Sequence, residues 1–139
     1  MIRVVVDPGV FISALIGSRG GAPDLVVRAF VDDRIKVVAS PLLLAELELV
    51  LRRPKFAAYI DERTVREFVE RIRRHATVVD DPVEQPAVTR DRKDDYLVAL
   101  ARSEHVDAIV SGDRDLIDAG LADPAVWTPR QLADRLREN

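Results

Sequence analysis

Carboxylates at the ends of predicted strands are the residues of this sequence best suited to chemistry. Asp7 directly follows the apolar run Val4-Val5-Val6, and Asp113 comes three residues after Ile109-Val110. Short runs rich in β-branched residues are typical of buried parallel strands, and the carboxyl ends of such strands meet at one edge of the sheet. We therefore expect Asp7 and Asp113 to share the edge at which open parallel sheets bind their ligands.

A third carboxylate, Glu46, is predicted to lie on a helix that begins at Ser40-Pro41. Its neighbours four residues before and after are apolar, whereas Glu48 has Arg52 four residues later as a cation partner. A carboxylate in an apolar arc must be hydrogen-bonded, paired or bound to metal. A distant arginine partner for Glu46 remains the alternative to a metal.

Acidic residues also open a later helix, in the run from Asp91 to Asp95. The helix dipole and the free N–H groups of the first turn favour acids there, which explains at least one of them. If Asp95 converges with Asp7, Glu46 and Asp113, carboxylates ~4 Å apart repel by about 4 kcal/mol per pair at an effective dielectric near 20. Such a cluster needs a cation or raised pKa values.

The composition narrows the chemistry to oxygen ligands. The 139 residues include no cysteine and two histidines, which excludes disulfides, thiolate nucleophiles and cysteine-based zinc sites. Carboxylates alone select hard divalent ions, Mg²⁺ or Mn²⁺, and such an ion suits phosphodiester hydrolysis because it activates water and neutralises charge on the phosphate. The net charge of −3 excludes a globally basic nucleic-acid binder, but the stretch 52–75 carries +4.

These residues must be positioned by alternating strands and helices. Apolar runs predict strands at 3–6, 35–39, 77–79, 107–110 and 125–127, with helical patterns between most of them. The alternation predicts an α/β fold, a three-layer α/β/α arrangement with a central parallel sheet of four to five strands, in one domain spanning 1–139. No apolar run approaches the ~20 residues that a membrane span needs, and no signal peptide is evident, so we expect a cytoplasmic protein without membrane attachment.

At this point the sequence resembles the PIN-domain nuclease family, and within it the VapC-like toxins of type II toxin–antitoxin systems. The resemblance extends over essentially the whole chain. It depends on the order and spacing of four blocks, each weak alone: Val4-Val5-Val6-Asp7-Pro8-Gly9-Val10-Phe11, Ser40-Pro41-Leu42-Leu43-Leu44-Ala45-Glu46-Leu47, Arg90-Asp91-Arg92-Lys93-Asp94-Asp95-Tyr96-Leu97-Val98-Ala99 and Ile109-Val110-Ser111-Gly112-Asp113-Arg114-Asp115-Leu116.

The resemblance implies a PIN-like fold and a Mg²⁺- or Mn²⁺-dependent endoribonuclease. The family pattern favours Asp95 over Asp94 as the metal-binding acid, because Asp95 stands 18 residues before Asp113 and immediately before Tyr-Leu-Val-Ala. Ser111 matches a residue that supports the acidic site. The implied catalytic and metal-binding acids are Asp7, Glu46, Asp95 and Asp113, with Asp115 as a further metal acid, and the candidate phosphate-binding cations are Arg52, Arg53, Lys55 and Arg90.

The implied partners are an RNA substrate, a small antitoxin protein and a second copy of the chain in a homodimer. One departure from the family pattern is Gly9, where a polar residue is common, and it puts the level of activity in question. Two alternatives follow: a PIN-fold module that binds RNA or protein without cleavage, and a receiver-type phospho-acceptor domain. The receiver-type hypothesis requires a second acid beside Asp7 and a lysine late in the chain, but the sequence has no acid beside Asp7 and no lysine after Lys93.

Overall fold

A computed structural model describes residues 1–83 and 94–138 of the chain. Its sheet has five parallel strands in the order β3-β2-β1-β4-β5. The prediction of an α/β fold with a parallel sheet of four to five strands is confirmed. The strands are β1 (Arg3–Val6), β2 (Lys36–Ala39), β3 (Thr77–Val78), β4 (Ala108–Val110) and β5 (Ala125–Trp127).

Helices cover both faces of this sheet, which gives the three layers. One group of helices is formed by α8, α2, α1, α3 and α5, each of which contacts the next in this order. Helix α6 packs against β1 and β4. The helices are α1 (Pro8–Ile16), α2 (Ala22–Val31), α3 (Pro41–Leu51), α4 (Pro54–Ala57), α5 (Glu62–His75), α6 (Asp95–Ser103), α7 (Arg114–Ile117) and α8 (Pro129–Arg137).

The central position of β1 explains its apolar sequence. Val4, Val5 and Val6 are fully buried because β2 pairs on one side of them and β4 on the other. A strand with neighbours on both edges and helices on both faces has no solvent-facing side chain, which accounts for its unbroken apolar sequence. The register pairs Val5 with Val38 of β2 and with Ile109 of β4.

The strand order also tests the receiver-type alternative. Receiver-like doubly wound sheets have the order 2-1-3-4-5, with the third strand beside the first. Here β4 lies beside β1 and β3 is at the edge. The receiver-type hypothesis is therefore wrong, because the strand that would carry its phospho-acceptor is two strands away from Asp7.

Helix α3 starts where the sequence predicts, at a buried cap. The Leu43 N–H donates to the Ser40 hydroxyl oxygen at 3.2 Å, and Ser40 has no exposed surface. We expect Ser40→Ala to lower the free energy of unfolding by about 1 kcal/mol, because it removes the cap acceptor. Urea unfolding measures this loss, with Ser40→Thr as the control that keeps the hydroxyl. Equal midpoints for the alanine variant and the original protein would contradict it.

Within the described residues, no helix combines the length and the apolar content that crossing a bilayer requires.

Candidate metal centre

Asp7 holds the junction between β1 and α1. Its backbone N–H donates to the Val110 carbonyl at 2.9 Å, which extends the pairing of β1 with β4 by one residue. Its carboxylate caps α1, since Oδ1 accepts the Gly9 N–H at 3.0 Å. The remaining oxygen, Oδ2, lies on the side of β4. The strand end and the cap together fix this carboxylate at the carboxyl edge of the central strand.

Ser111 links Asp7 to the next acid along that edge. Its hydroxyl donates to Asp7 Oδ2 at 2.7 Å and accepts the Asp113 N–H at 3.0 Å. The residue has no exposed surface. Because a hydroxyl can donate one hydrogen bond while it accepts another, Ser111 fixes one acid by its side chain and the other by its backbone. The supporting contact inferred from the sequence is present.

Asp113 and Asp115 lie at the start of α7, the short helix that follows β4. Asp113 is the residue before α7, and its Oδ1 accepts the Asp115 N–H at 2.9 Å. Asp115 therefore contributes a backbone donor that orients Asp113. Its carboxylate does not belong to the cluster of acids that the described residues form around Asp7.

Three carboxylates meet at this edge of the sheet. One oxygen each from Asp7, Asp94 and Asp113 lies within 4.8 Å of the other two. Three oxygens bound to one Mg²⁺ ion are about 3 to 4.2 Å apart, given metal–oxygen distances of 2.0–2.1 Å. The three carboxylates are therefore near enough for one ion to draw them together by small movements of their side chains.

The structure places Asp94, rather than Asp95, in this cluster. Asp94 is the residue before α6, whereas Asp95 is the first residue of the helix and is also buried. The geometry therefore favours Asp94, whereas the resemblance implied Asp95. Helical periodicity could not make this choice, because α6 is buried on every side from Asp95 to Ala101 and has no polar face from which the direction of an acid could be inferred.

Glu46 lies beside the cluster rather than within it. It is half-buried on α3 and lines a cavity of about 160 Å³ together with Asp7, Asp94 and Arg53. Glu46 and Asp7 thus line one cavity, but Glu46 is not one of the three carboxylates that form the cluster. Arg53 follows the end of α3 and precedes α4, and it lines the same cavity as Glu46, so this part of the wall carries a cation as well as the acids.

Burial and charge act on the ionisable groups of the cavity in one direction. Burial raises the pKa of the Asp7 carboxyl and the nearby Asp113 adds to this, while the hydrogen bonds from Ser111 and Gly9 oppose it. Burial also raises the pKa of the Tyr96 phenol, with further contributions from the charges of Asp7 and Glu46 among others. Both shifts indicate that the cavity disfavours additional negative charge, and the part that comes from the neighbouring carboxylates is the part that a cation would relieve.

The candidate phosphate-binding cations differ in their surroundings. The Arg52 guanidinium is 2.8 Å from Glu48 and 2.6 Å from Glu62, so it joins α3 to α5 and its charge is already neutralised. Arg53 lines the acidic cavity. The Lys55 ammonium lies 5.0 Å from the centre of the Phe56 ring. Arg90 lies outside the described residues.

Sequence reasoning weighed Asp94 as the alternative to Asp95, and it did not single out Tyr96 as part of the cavity wall. A hydroxyl-bearing aromatic directly after an acidic helix start is the signal that could have indicated Tyr96. The Gly9 departure is small in structural terms. A Cβ atom there would stand 3.7 Å from Asp7 Oδ1, an ordinary contact, so the position has room for a side chain.

The sequence matches a known protein over most of its length. The chain is similar to the uncharacterized protein MJ1680 of Methanocaldococcus jannaschii, with 31% identity over 117 residues, which cover 84% of this chain and 74% of that protein.

Solved structures share the fold at low identity. PAE2754 from Pyrobaculum aerophilum has a TM-score of 0.65 at 16% identity, covering 100% of this chain and 91% of that one. FitAB bound to an IR36 DNA fragment has a TM-score of 0.58 at 15% identity, and the match covers 91% of this chain and 94% of that one. FitAcB from Neisseria gonorrhoeae has a TM-score of 0.54 at 18% identity, and the match covers 91% of this chain and 98% of that one.

The match to a family model is the finding that decides the classification. The PIN domain model aligns with residues 3–115, from the start of β1 to Asp115, and so includes each acid of the cluster. Members of this family are generally nucleases. The chain belongs to the PIN-domain family.

Proposed function

We propose that this protein is a Mg²⁺- or Mn²⁺-dependent endoribonuclease whose metal is held by Asp7, Asp94 and Asp113. The observation that carries the proposal is the approach of these three carboxylates to within 4.8 Å of one another. They come from the ends of β1 and β4 and from the start of α6. Three negative charges from distant parts of the chain are held together at a cost that a bound cation would offset.

The residues present fit a hard divalent ion. The donor set consists of carboxylate oxygens, which Mg²⁺ and Mn²⁺ prefer. A bound ion would supply an activated water and neutralise charge on the phosphate. The protein's own contribution is orientation, because Ser111 holds Asp7 while the Asp115 N–H holds Asp113. In this proposal Asp94 takes the role that the resemblance gave to Asp95.

Glu46 is proposed to complete the site from the other side of the cavity, as a ligand or through a bound water. The proposal gives Arg53 a contact with the phosphate backbone of the substrate, since it is the arginine on the cavity wall. Arg52 has no such role in the proposal, because both of its neighbours in the structure are carboxylates.

RNA cleavage with and without Mn²⁺ tests the function, and Glu46 and Glu48 provide a matched pair on one helix. We expect Mn²⁺-dependent cleavage of single-stranded RNA that EDTA abolishes. Glu46→Gln should lower the rate at least about tenfold, because its carboxylate lines the metal cavity. Glu48→Gln should leave the rate unchanged, since Glu48 pairs with Arg52 at the surface. Equal rates for the two variants would contradict the role of Glu46.

The second candidate, a PIN-fold module that binds without cleaving, is favoured only by Gly9. The same assay separates the two functions, because a binding module would retain RNA without producing fragments in any metal. An antitoxin partner and a homodimer stay predictions from the resemblance to toxins. A small protein that covers the acidic cavity is the partner expected for a toxin of this kind.

A further inference from the structure

Tyr96 carries a polar group that the proposed mechanism leaves unused. The residue is 7% exposed, and its hydroxyl is buried and has no hydrogen-bond partner among the residues that the structure describes. Buried polar atoms in proteins are nearly always paired, and an exception points to a partner that is absent or to a role in function. The phenol of Tyr96 is therefore available to a ligand.

The position of Tyr96 limits what that ligand is. Its side chain lines the same cavity of about 160 Å³ as Asp7, Glu46 and Arg53. The hydroxyl oxygen itself has no accessible surface, so a partner that enters the cavity reaches it only after a small movement of the Tyr96 side chain or of the cavity wall. The carboxylates nearby are all acceptors, yet the hydroxyl donates to none of those in the described part of the chain. Its hydrogen is thus left for an acceptor that enters from outside.

Arg53 identifies the charge of that acceptor. A cavity wall with a guanidinium and a phenol presents two donors to one ligand, and such a pair suits an anionic oxygen. The neighbouring acids would repel an anion by themselves, so the anion enters together with the cation that they hold. A phosphodiester that reacts at the proposed metal centre meets both conditions.

We propose that the Tyr96 hydroxyl, beside Arg53, donates a hydrogen bond to a phosphate oxygen of the bound RNA strand. This inference rests on the proposed nuclease function and adds a substrate-binding residue to it. Tyr96 contacts the substrate rather than the metal, so its loss is expected to weaken RNA binding and turnover while metal affinity is unchanged.

Tyr96→Phe tests the contact, with Tyr59→Phe as the matched control. The first change removes only the buried oxygen, whereas Tyr59 is 81% exposed and lies outside the cavity. In the metal-free protein we expect Tyr96→Phe to raise the midpoint of thermal unfolding by about 2–5 °C, because an unpaired buried hydroxyl is removed. With Mn²⁺, cleavage of RNA should fall about 10- to 100-fold, the effect of one hydrogen bond to a charged group. Tyr59→Phe should change neither quantity.

Two further measurements decide between this contact and its alternatives. Mn²⁺ affinity, measured by calorimetry, should be the same for Tyr96→Phe and the original protein. A tenfold loss of that affinity would overturn the proposal, since it would mean that the phenol acts through the metal-binding acids. An unchanged cleavage rate in an active protein would also overturn it.

Failure of the nuclease function gives a different result. Binding of a fluorescent RNA oligonucleotide in the presence of Ca²⁺ is measured alongside cleavage, because Ca²⁺ occupies carboxylate sites. If the original protein cleaves no RNA, the proposed function fails. A tenfold weaker oligonucleotide affinity for Tyr96→Phe would then still support the phosphate contact, and equal affinities would overturn it.

Discussion

Asp94→Asn is expected to lower Mn²⁺ affinity at least about 100-fold and to abolish RNA cleavage, while Asp95→Asn leaves metal affinity within about threefold. The two residues are adjacent and both buried, but only Asp94 brings a carboxylate oxygen to within 4.8 Å of Asp7 and Asp113. Loss of a metal-binding oxygen should exceed the 10- to 100-fold effect known for residues that merely support ligands. Calorimetric Mn²⁺ titration measures the affinities, and a gel assay measures cleavage.

The Asp95 variant is the control for this prediction. Asp95 is the first residue of α6, where its negative charge interacts favourably with the helix dipole. Asp95→Asn should therefore lower the free energy of unfolding by about 0.5 kcal/mol. Its effect is therefore expected in stability rather than in metal affinity. The reverse result, with Asp95→Asn abolishing Mn²⁺ binding and Asp94→Asn retaining it, would restore the choice that the sequence spacing favours.

Asp7→Asn is expected to abolish cleavage and yet to stabilise the metal-free protein at neutral pH. Asparagine caps a helix as well as aspartate, so the Gly9 N–H keeps its acceptor. The variant loses a negative charge that burial and the neighbouring Asp113 disfavour. It also loses the Ser111 hydrogen bond to that charge, but the raised pKa of Asp7 shows that burial is the larger effect. Saturating Mn²⁺ should reverse the order of stability, because a ligand at 100 times its Kd stabilises the original protein by about 2.7 kcal/mol.

The pH dependence of the Asp7 effect has a definite sign. The pKa of Asp7 in the folded state is raised above 3.8, the ordinary value for aspartate, so the folded state binds the proton more tightly than the unfolded state does. Stability of the metal-free protein therefore falls as the pH rises from about 3.8 through the folded-state pKa, and it levels off above that. The advantage of Asp7→Asn should be present at pH 7 and vanish below pH ~4.

Asp61→Asn is the matched control with the opposite sign. Asp61 also caps a helix, but it is exposed, and the hydrogen bond from the Thr64 backbone lowers its pKa. Its charge therefore favours folding above the unfolded-state pKa, and this contribution is lost as the pH falls through the folded-state value. Thermal unfolding across pH 3–8 measures both variants. A destabilised Asp7→Asn at pH 7 without metal would contradict the prediction.

The fold was largely predictable because its signals are local and strong. Buried parallel strands have unbroken apolar sequences, and Ser40 marks a helix start that the structure confirms. The short helices α4 and α7 were not predicted. Each has four residues, which is too short for hydrophobic periodicity to appear.

The site was predictable where a strand end fixes the direction of the chain. Asp7 and Asp113 follow neighbouring strands, so parallel pairing alone brings them together, and Ser111 lies between them. The choice between Asp94 and Asp95 required the rotation of a helix that is buried on all sides, which sequence periodicity cannot supply. Tyr96 was missed for a related reason, since only its place directly after the acidic start of α6, and not the pattern of the helix, distinguishes it from a core aromatic.

The pairing of β1 with β4 has a consequence for when the protein acquires activity. Asp7 is made before β4, the strand that places Asp113 beside it. A ribosome-bound chain that ends before β4 lacks both the strand and one of the three acids of the proposed site. In this proposal, the cation site therefore forms only after β4 and Asp113 have been made.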